Sequence, residues 1–175
     1  ANNLTRGKFY QQSDGLLVGS NSEDGYAMVG TVANESTRSV AVIVGAADEN
    51  YRAAEIKKLL EYGLSAFEYR QIETKGTFVR KINIKDGKEK KIKTEAASDF
   101  SVLLNKEDFD KIVKKVDVNK TIQAPAHKGD VVGEVVYMVG EKELGRIEIV
   151  LSEDMEKAGW FTLLIRKILA FFGLD

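Results

Sequence analysis

Residues 78–96 read FVRKINIKDGKEKKIKTEA, and with them the chain leaves a helical period for a period of two. Ile82 and Ile84 fall on one face, polar residues take the other, and the Asp86-Gly87 pair offers a sharp turn, so a β-hairpin is predicted here. Downstream come FSVLLN (100–105), IVKKVDV (112–118), VVGEVVYMVG (131–140) and LGRIEIVLSE (144–153), punctuated by Gly, Asn and Asp. Short strands at that spacing predict a small all-β sandwich or barrel.

Upstream the text is different. GYAMVGTVAN and RSVAVIVGA flank the polar turn ANEST, which suits two antiparallel strands. The run Val40 to Val44 is apolar on both faces and is expected to lie centrally in its sheet. Then Ala53, Ile56, Leu59, Leu60, Leu64 and Phe67 recur at steps of three and four, a single helical face with Asp48 or Asn50 as cap. The reading is therefore α+β: an α/β piece over residues 1–69, a β-rich domain over 70–153, and a C-terminal helix over 154–175.

Composition narrows the function. The 175 residues include 26 basic and 27 acidic side chains, a formal charge of −1, so no global field draws the chain to nucleic acid and no nucleic-acid partner is expected. There is no cysteine and one histidine, His127, which excludes thiolate chemistry and a His-rich zinc site; no metal or cofactor is expected. His127, in the loop text APAHKGD, has no second His or Cys to work with, and loop placement is the simpler reading. Adjacent acidic pairs, Glu107-Asp108 and Glu153-Asp154, fit capping and solubility better than acid–base work. No apolar run reaches the roughly 20 residues that cross a bilayer, and ANNLTRGKFYQQ does not read as a signal peptide.

Two stretches, DGLLVGSNSEDGYAMVGTV (14–32) and APAHKGDVVGEVVYMVGEKELGRIEIVL (124–151), with the helix text KKLLEYGLSAFEY between them, resemble the low-molecular-mass penicillin-binding proteins of the D-alanyl-D-alanine carboxypeptidase type. The first is similar to that family's Asp-Gly-Leu-Lys-Thr-Gly run followed by Gly-Tyr, a strand and a helix. The second is similar to its β-rich C-terminal domain, down to the Lys-Gly-Asp-x-Val-Gly phrase. The likeness runs in order through nearly all of the chain. It implies that residues 1–69 correspond to the C-terminal part of the catalytic domain.

The resemblance also marks what is missing. The family's chemistry uses a Ser-x-x-Lys pair, a Ser-x-Asn triplet and a Lys-Thr/Ser-Gly strand. Neither of the first two patterns occurs here. At the third, the family's Lys falls on Leu17 and its hydroxyl residue on Val18, while Gly19 is kept. Leu and Val supply neither the ammonium nor the hydroxyl, whose charge-assisted hydrogen bonds are worth about 1.5–3 kcal/mol each. Leu17, Val18 and Gly19 thus read as a degenerate active-site strand, with no catalytic residue assigned. Lys75-Gly76-Thr77 has the wrong order for a replacement.

Two charge patterns complete the reading. RKINIKDGKEKKIK (80–93) is locally basic; a solvated hairpin face explains it, and attraction to anionic lipid or wall polymer is the functional alternative. The C-terminal MEKAGWFTLLIRKILAFFGLD places Trp160, Phe161, Leu164, Ile165, Ile168, Leu169, Phe171 and Phe172 on one helical face, with Thr162, Arg166 and Lys167 opposite and Leu163 out of pattern on the polar side. An aromatic-rich face beside basic residues suits a helix lying in the membrane interface, and the resemblance implies the same. A core helix packed on the β domain is the ordinary alternative.

The expected protein is peptidoglycan-associated and extracytoplasmic, peripheral on the outer face of the bacterial cytoplasmic membrane, with a β domain that stands off or binds a cell-wall partner. It is expected to be non-catalytic or incomplete as a carboxypeptidase. The alternatives are the C-terminal portion of an active serine-type carboxypeptidase trimming peptidoglycan pentapeptides, and a pure interaction module.

Overall fold

The computed structural model of the protein describes residues 17–171. The architecture is α+β, mostly strands with few helices, and its residues group into two compact units. The first runs to Arg70 and takes in Leu103–Phe109; the second holds Gln71–Val102 and the chain from Asp110 onward.

In the first unit, β1 (Leu17–Asn21), β2 (Gly25–Ala33) and β3 (Arg38–Ala46) form a sheet in that order, all antiparallel. Helix α1 (Glu49–Ala66) is capped by Asp48, whose carboxylate accepts the Asn50 and Tyr51 amides at 2.9 Å. Its Ala53, Ile56 and Leu60 are buried, and the last two join Met28, Val32 and Ala41 in one apolar cluster. Leu59, expected on the same stripe, is exposed. Among the described residues β3 pairs with β2 alone and ends the three-stranded sheet, where a central strand was expected. Ala41 and Ile43 pack in the α1 cluster, while Val40, Val42 and Val44 are exposed. An apolar run reports on faces, and carries no information about which hydrogen-bonding edge is paired.

β4 (Phe67–Glu73) pairs with β7 (Phe100–Asn105), and a 3-10 turn (Lys106–Lys111) follows β7. The second unit is built on a six-stranded sheet. It comprises β5 (Phe78–Lys85), β6 (Lys91–Ala96), β8 (Ile112–Val118), β9 (Thr121–Gln123), β10 (Val131–Val139) and β11 (Lys142–Leu151), in the order β8-β10-β11-β6-β5-β9. All pairs are antiparallel except β5 with β9. Alternation puts Ile82, Ile84, Ile92, Val135, Tyr137, Ile147 and Ile149 into one core, joined by Ile72 and Phe100.

The predicted hairpin exists, but its turn is longer than Asp86-Gly87. Residues 86–90 connect β5 to β6, with Asp86 in the left-handed region at φ 57°. The reason is that a distant segment pairs across the connection: Gly87 bridges Lys157, the Lys88 amide donates to the Glu156 carbonyl, and the Ala158 amide donates to the Asp86 carbonyl.

The Lys128-Gly129-Asp130-Val131-Val132-Gly133 phrase is explained by local geometry. Gly129 has φ +90°, and the Asp130 carboxylate accepts the His127 amide at 2.7 Å. Gly133 lies against β8 so closely that a Cβ there would sit 2.2 Å from the Asp117 carbonyl oxygen and 2.6 Å from the Val118 Cα. These are backbone atoms of a paired strand and have no rotamer to escape into. Gly133→Ala is expected to destabilise the second unit by about 3 kcal/mol or more, read as the shift of its urea midpoint; an unchanged midpoint would show that β8 gives way freely.

Tyr137 is fully buried, stacks on Phe100 with centroids 4.4 Å apart, and donates to Glu73 Oε2 at 2.9 Å. Lys114 Nζ donates to the same oxygen at 2.6 Å, and the Glu73 side chain is only 10% exposed. Burial alone pushes the Glu73 carboxyl up, but the Lys114 and Tyr137 hydrogen bonds and the Lys114 charge outweigh it and hold it below the usual range. A carboxyl lowered on folding gives stability that is present above the ordinary carboxylate range and lost as pH falls through it. Glu73→Gln is therefore expected to cost about 1–3 kcal/mol near neutral pH and to flatten the loss of stability as pH falls below the ordinary glutamate range. A variant with the same acid slope as the native chain would assign that slope to other groups.

Candidate functional site

β1 is where the sequence expects a degenerate strand. It pairs with β2 through Leu17↔Val29, Val18↔Met28 and Gly19↔Ala27, and stands at the end of the described sheet. Successive side chains alternate between faces. Val18 packs on the α1 cluster, whereas Leu17 is 68% exposed on the other face. Gly19 has open space around it: a Cβ at this position would have no neighbour within 4 Å. The turn that follows is tied by Asn21, whose side-chain oxygen accepts the Glu23 and Asp24 amides.

A residue that the sequence pattern did not single out completes this edge. Arg52, from the first turns of α1, is only 4% exposed. Its Nη1 donates to the Ala27 carbonyl at 3.2 Å and to the Gly19 carbonyl at 3.4 Å, and its Nη2 pairs with Glu49 at 3.4 Å. The guanidinium lies 5.5 Å from the Tyr26 ring centroid, and its buried Nε has no hydrogen-bond partner among the described residues. Arg52, Glu49, Tyr26, Val18, Gly19 and Ser20 line a hollow of about 280 Å³. The arrangement sets a buried guanidinium, paired with the Glu49 carboxylate, behind a strand edge. It offers neither an ammonium nor a hydroxyl from positions 17 and 18. The clue in the sequence was an arginine four residues before Ile56 and eight before Leu60, on the buried stripe of α1.

The second candidate site is α2 (Trp160–Phe171). Its twelve residues span about 18 Å, and among the described residues no helix is long and apolar enough to cross a membrane. Trp160, Phe161, Leu164, Ile165, Ile168, Leu169 and Phe171 are all exposed, Trp160 by 76% and Phe171 by 86%. Phe172 lies outside the described residues. The opposite side of the helix is the docked one: Arg166 donates through Nη1 to the Gly87 carbonyl at 2.8 Å and through Nη2 to the Lys88 carbonyl at 2.9 Å. Leu163, out of pattern on the wheel, is three residues from Arg166 and is likewise less exposed than its apolar neighbours.

The remaining sequence candidates are scattered. His127 is exposed, with Nδ1 3.9 Å from Asp130. Lys75-Gly76-Thr77 forms the turn before β5, where the Lys75 amide donates to Asp99 and the Gly76 amide to the Ala96 carbonyl. Asp154 accepts the Lys128 amide at 2.8 Å. Among the described residues there is no group of three or more His, Asp or Glu that could hold a metal ion.

Comparison with known proteins gives these features a family context. The family described as penicillin-binding protein 5, C-terminal domain, matches residues 67–157. The chain is 31% identical over 160 residues to D-alanyl-D-alanine carboxypeptidase DacF of Bacillus subtilis, covering 91% of this chain and 41% of that protein. It is 27% identical over 150 residues to DacA of Haemophilus influenzae, covering 85% and 38% respectively. Among solved structures it is similar to penicillin-binding protein 5 from Haemophilus influenzae, with a TM-score of 0.55, 26% identity, and 83% of this chain and 43% of that one covered. The carboxypeptidase DacD from Francisella tularensis shares the fold, with a TM-score of 0.57 at 23% identity over 85% of this chain and 37% of that one. The chain thus spans about two fifths of the length of the curated relatives it matches.

Proposed function

Because the chain belongs to the D-alanyl-D-alanine carboxypeptidase family of penicillin-binding proteins, carrying its C-terminal domain at residues 67–157, we propose that it is a peptidoglycan-associated carboxypeptidase-like protein that does not itself catalyse. In this reading α2 holds it on the outer face of the cytoplasmic membrane, and the second unit serves as a stand-off or as a platform for a cell-wall partner.

The observation that carries the reading is the orientation of α2. A helix recruited to a core turns its apolar face inward. This one docks through Arg166 and leaves its aromatic face in solvent, the disposition of a helix that rests in a lipid interface. Support for the non-catalytic part comes from Leu17 and Val18, which stand where the family's chemistry requires a cation and a hydroxyl.

A second reading is favoured by one fact, the two-fifths span of the relatives. On that reading the segment is the C-terminal portion of an active serine carboxypeptidase, with Arg52 gripping the substrate's terminal carboxylate. Intact mass of the native protein, extracted from its source membranes and incubated with penicillin, separates the two. The proposal expects no adduct; a gain of one penicillin per chain overturns it in favour of the enzyme.

A further inference from the structure

The β5–β6 hairpin has a chemically one-sided outer face. Ile82, Ile84 and Ile92 point into the core, so Lys81, Asn83, Lys85, Lys91 and Lys93 point away from it, with Glu95 at the far end of β6 the one carboxylate on that side of the two strands. The register sets Lys81 directly opposite Lys93, and Asn83 opposite Lys91. Like charges facing across a ladder cost stability. Lys120, whose carbonyl accepts the Asn83 amide, extends the patch. Arg80, Lys81, Asn83, Lys91 and Lys120, together with Ile82 and Val118, line a groove of about 290 Å³ that has no carboxylate in its wall.

This face ends where α2 begins. The hairpin turn takes both Arg166 hydrogen bonds, bridges Lys157 through Gly87, and pairs Lys88 with Glu156. Asn83 is four residues from Gly87, at most about 13 Å along a strand. The cationic face and the exposed aromatic helix are therefore adjoining parts of one unit.

We propose that the groove on the outer face of the β5–β6 hairpin is a binding site for phosphate headgroups of anionic phospholipid, engaged when α2 lies in the interface. The inference rests on the reading of α2 as the anchor and adds to it a lipid preference. Continuity with α2 favours a bilayer surface over a soluble wall polymer as the occupant. Basic groups near an anionic surface contribute roughly fivefold each to binding, so three lysines account for a preference on the order of 100-fold.

The test uses the full chain and two vesicle compositions, phosphatidylcholine alone and phosphatidylcholine with phosphatidylglycerol. The native chain is expected to bind the anionic vesicles more than about 100-fold more tightly. Lys81→Gln, Lys91→Gln and Lys120→Gln together should weaken binding to anionic vesicles on the order of 100-fold and leave binding to neutral vesicles unchanged, and the three Lys→Arg replacements should keep the native affinity. Equal binding of the glutamine variant and the native chain to anionic vesicles overturns the proposal while leaving the α2 anchor standing. Failure of the native chain to bind either vesicle removes both. Binding of soluble poly(glycerol phosphate) as tight as that of anionic vesicles, lost in the glutamine variant, overturns the lipid assignment in favour of a polymer.

Discussion

Replacing Trp160, Phe161, Ile165 and Ile168 together by alanine is expected to lower partition of the chain onto phospholipid vesicles on the order of 1,000-fold while leaving the unfolding midpoint of the second unit in place. Fully burying a large apolar side chain is worth about 1.5–3 kcal/mol, and an interfacial helix buries roughly half of that, so four residues contribute about 3–6 kcal/mol. The second half of the expectation follows from exposure: all four side chains face solvent in the described structure, and surface substitutions away from caps and cores change stability by about 0.5 kcal/mol or less. Sedimentation with vesicles and a thermal melt measure the two halves separately. Undiminished partition would show that α2 does not carry membrane binding. A melt lowered by many degrees would show that the aromatic face is packed in solution and that α2 is a core helix after all.

Much of this arrangement was legible in the sequence, and the misreadings have physical causes. The α1 stripe and its Asp48 cap are local features, set by side-chain period and by one carboxylate within reach of two amides. The strand pattern of the second unit is local for the same reason. What a linear reading could not supply is the partner from far along the chain. The Asp86-Gly87 turn is opened to five residues by pairing with Glu156–Ala158, some 70 positions away. Leu163 breaks the pattern of α2 only until Arg166 is seen to bind the Gly87 and Lys88 carbonyls. Arg52 escaped notice because a charged side chain on an apolar stripe counts against a helix face, whereas its target, the carbonyls of Gly19 and Ala27, lies 33 and 25 residues earlier. The lysine face of the hairpin was visible as charge; that Lys81 opposes Lys93 depends on register.

Restoring Leu17→Lys and Val18→Thr in the native chain is expected to raise penicillin acylation on the order of 100- to 10,000-fold, provided that chain carries a Ser-x-x-Lys pair ahead of this segment. The magnitude follows from two charge-assisted hydrogen bonds of about 1.5–3 kcal/mol each, with about 1.4 kcal/mol for each tenfold in rate. The geometry makes the pair separable. Position 18 points toward α1 and lines the Arg52 hollow, so a threonine there puts its hydroxyl beside a fixed cation. Position 17 points to the other, exposed face. Val18→Thr alone should then strengthen anion binding at Arg52 without acylation, and only the double variant should acylate. If the double variant shows no adduct, the loss is not confined to this strand. If the native chain with Leu17 and Val18 already acylates, the strand never needed those two groups, and the non-catalytic reading falls with that assumption.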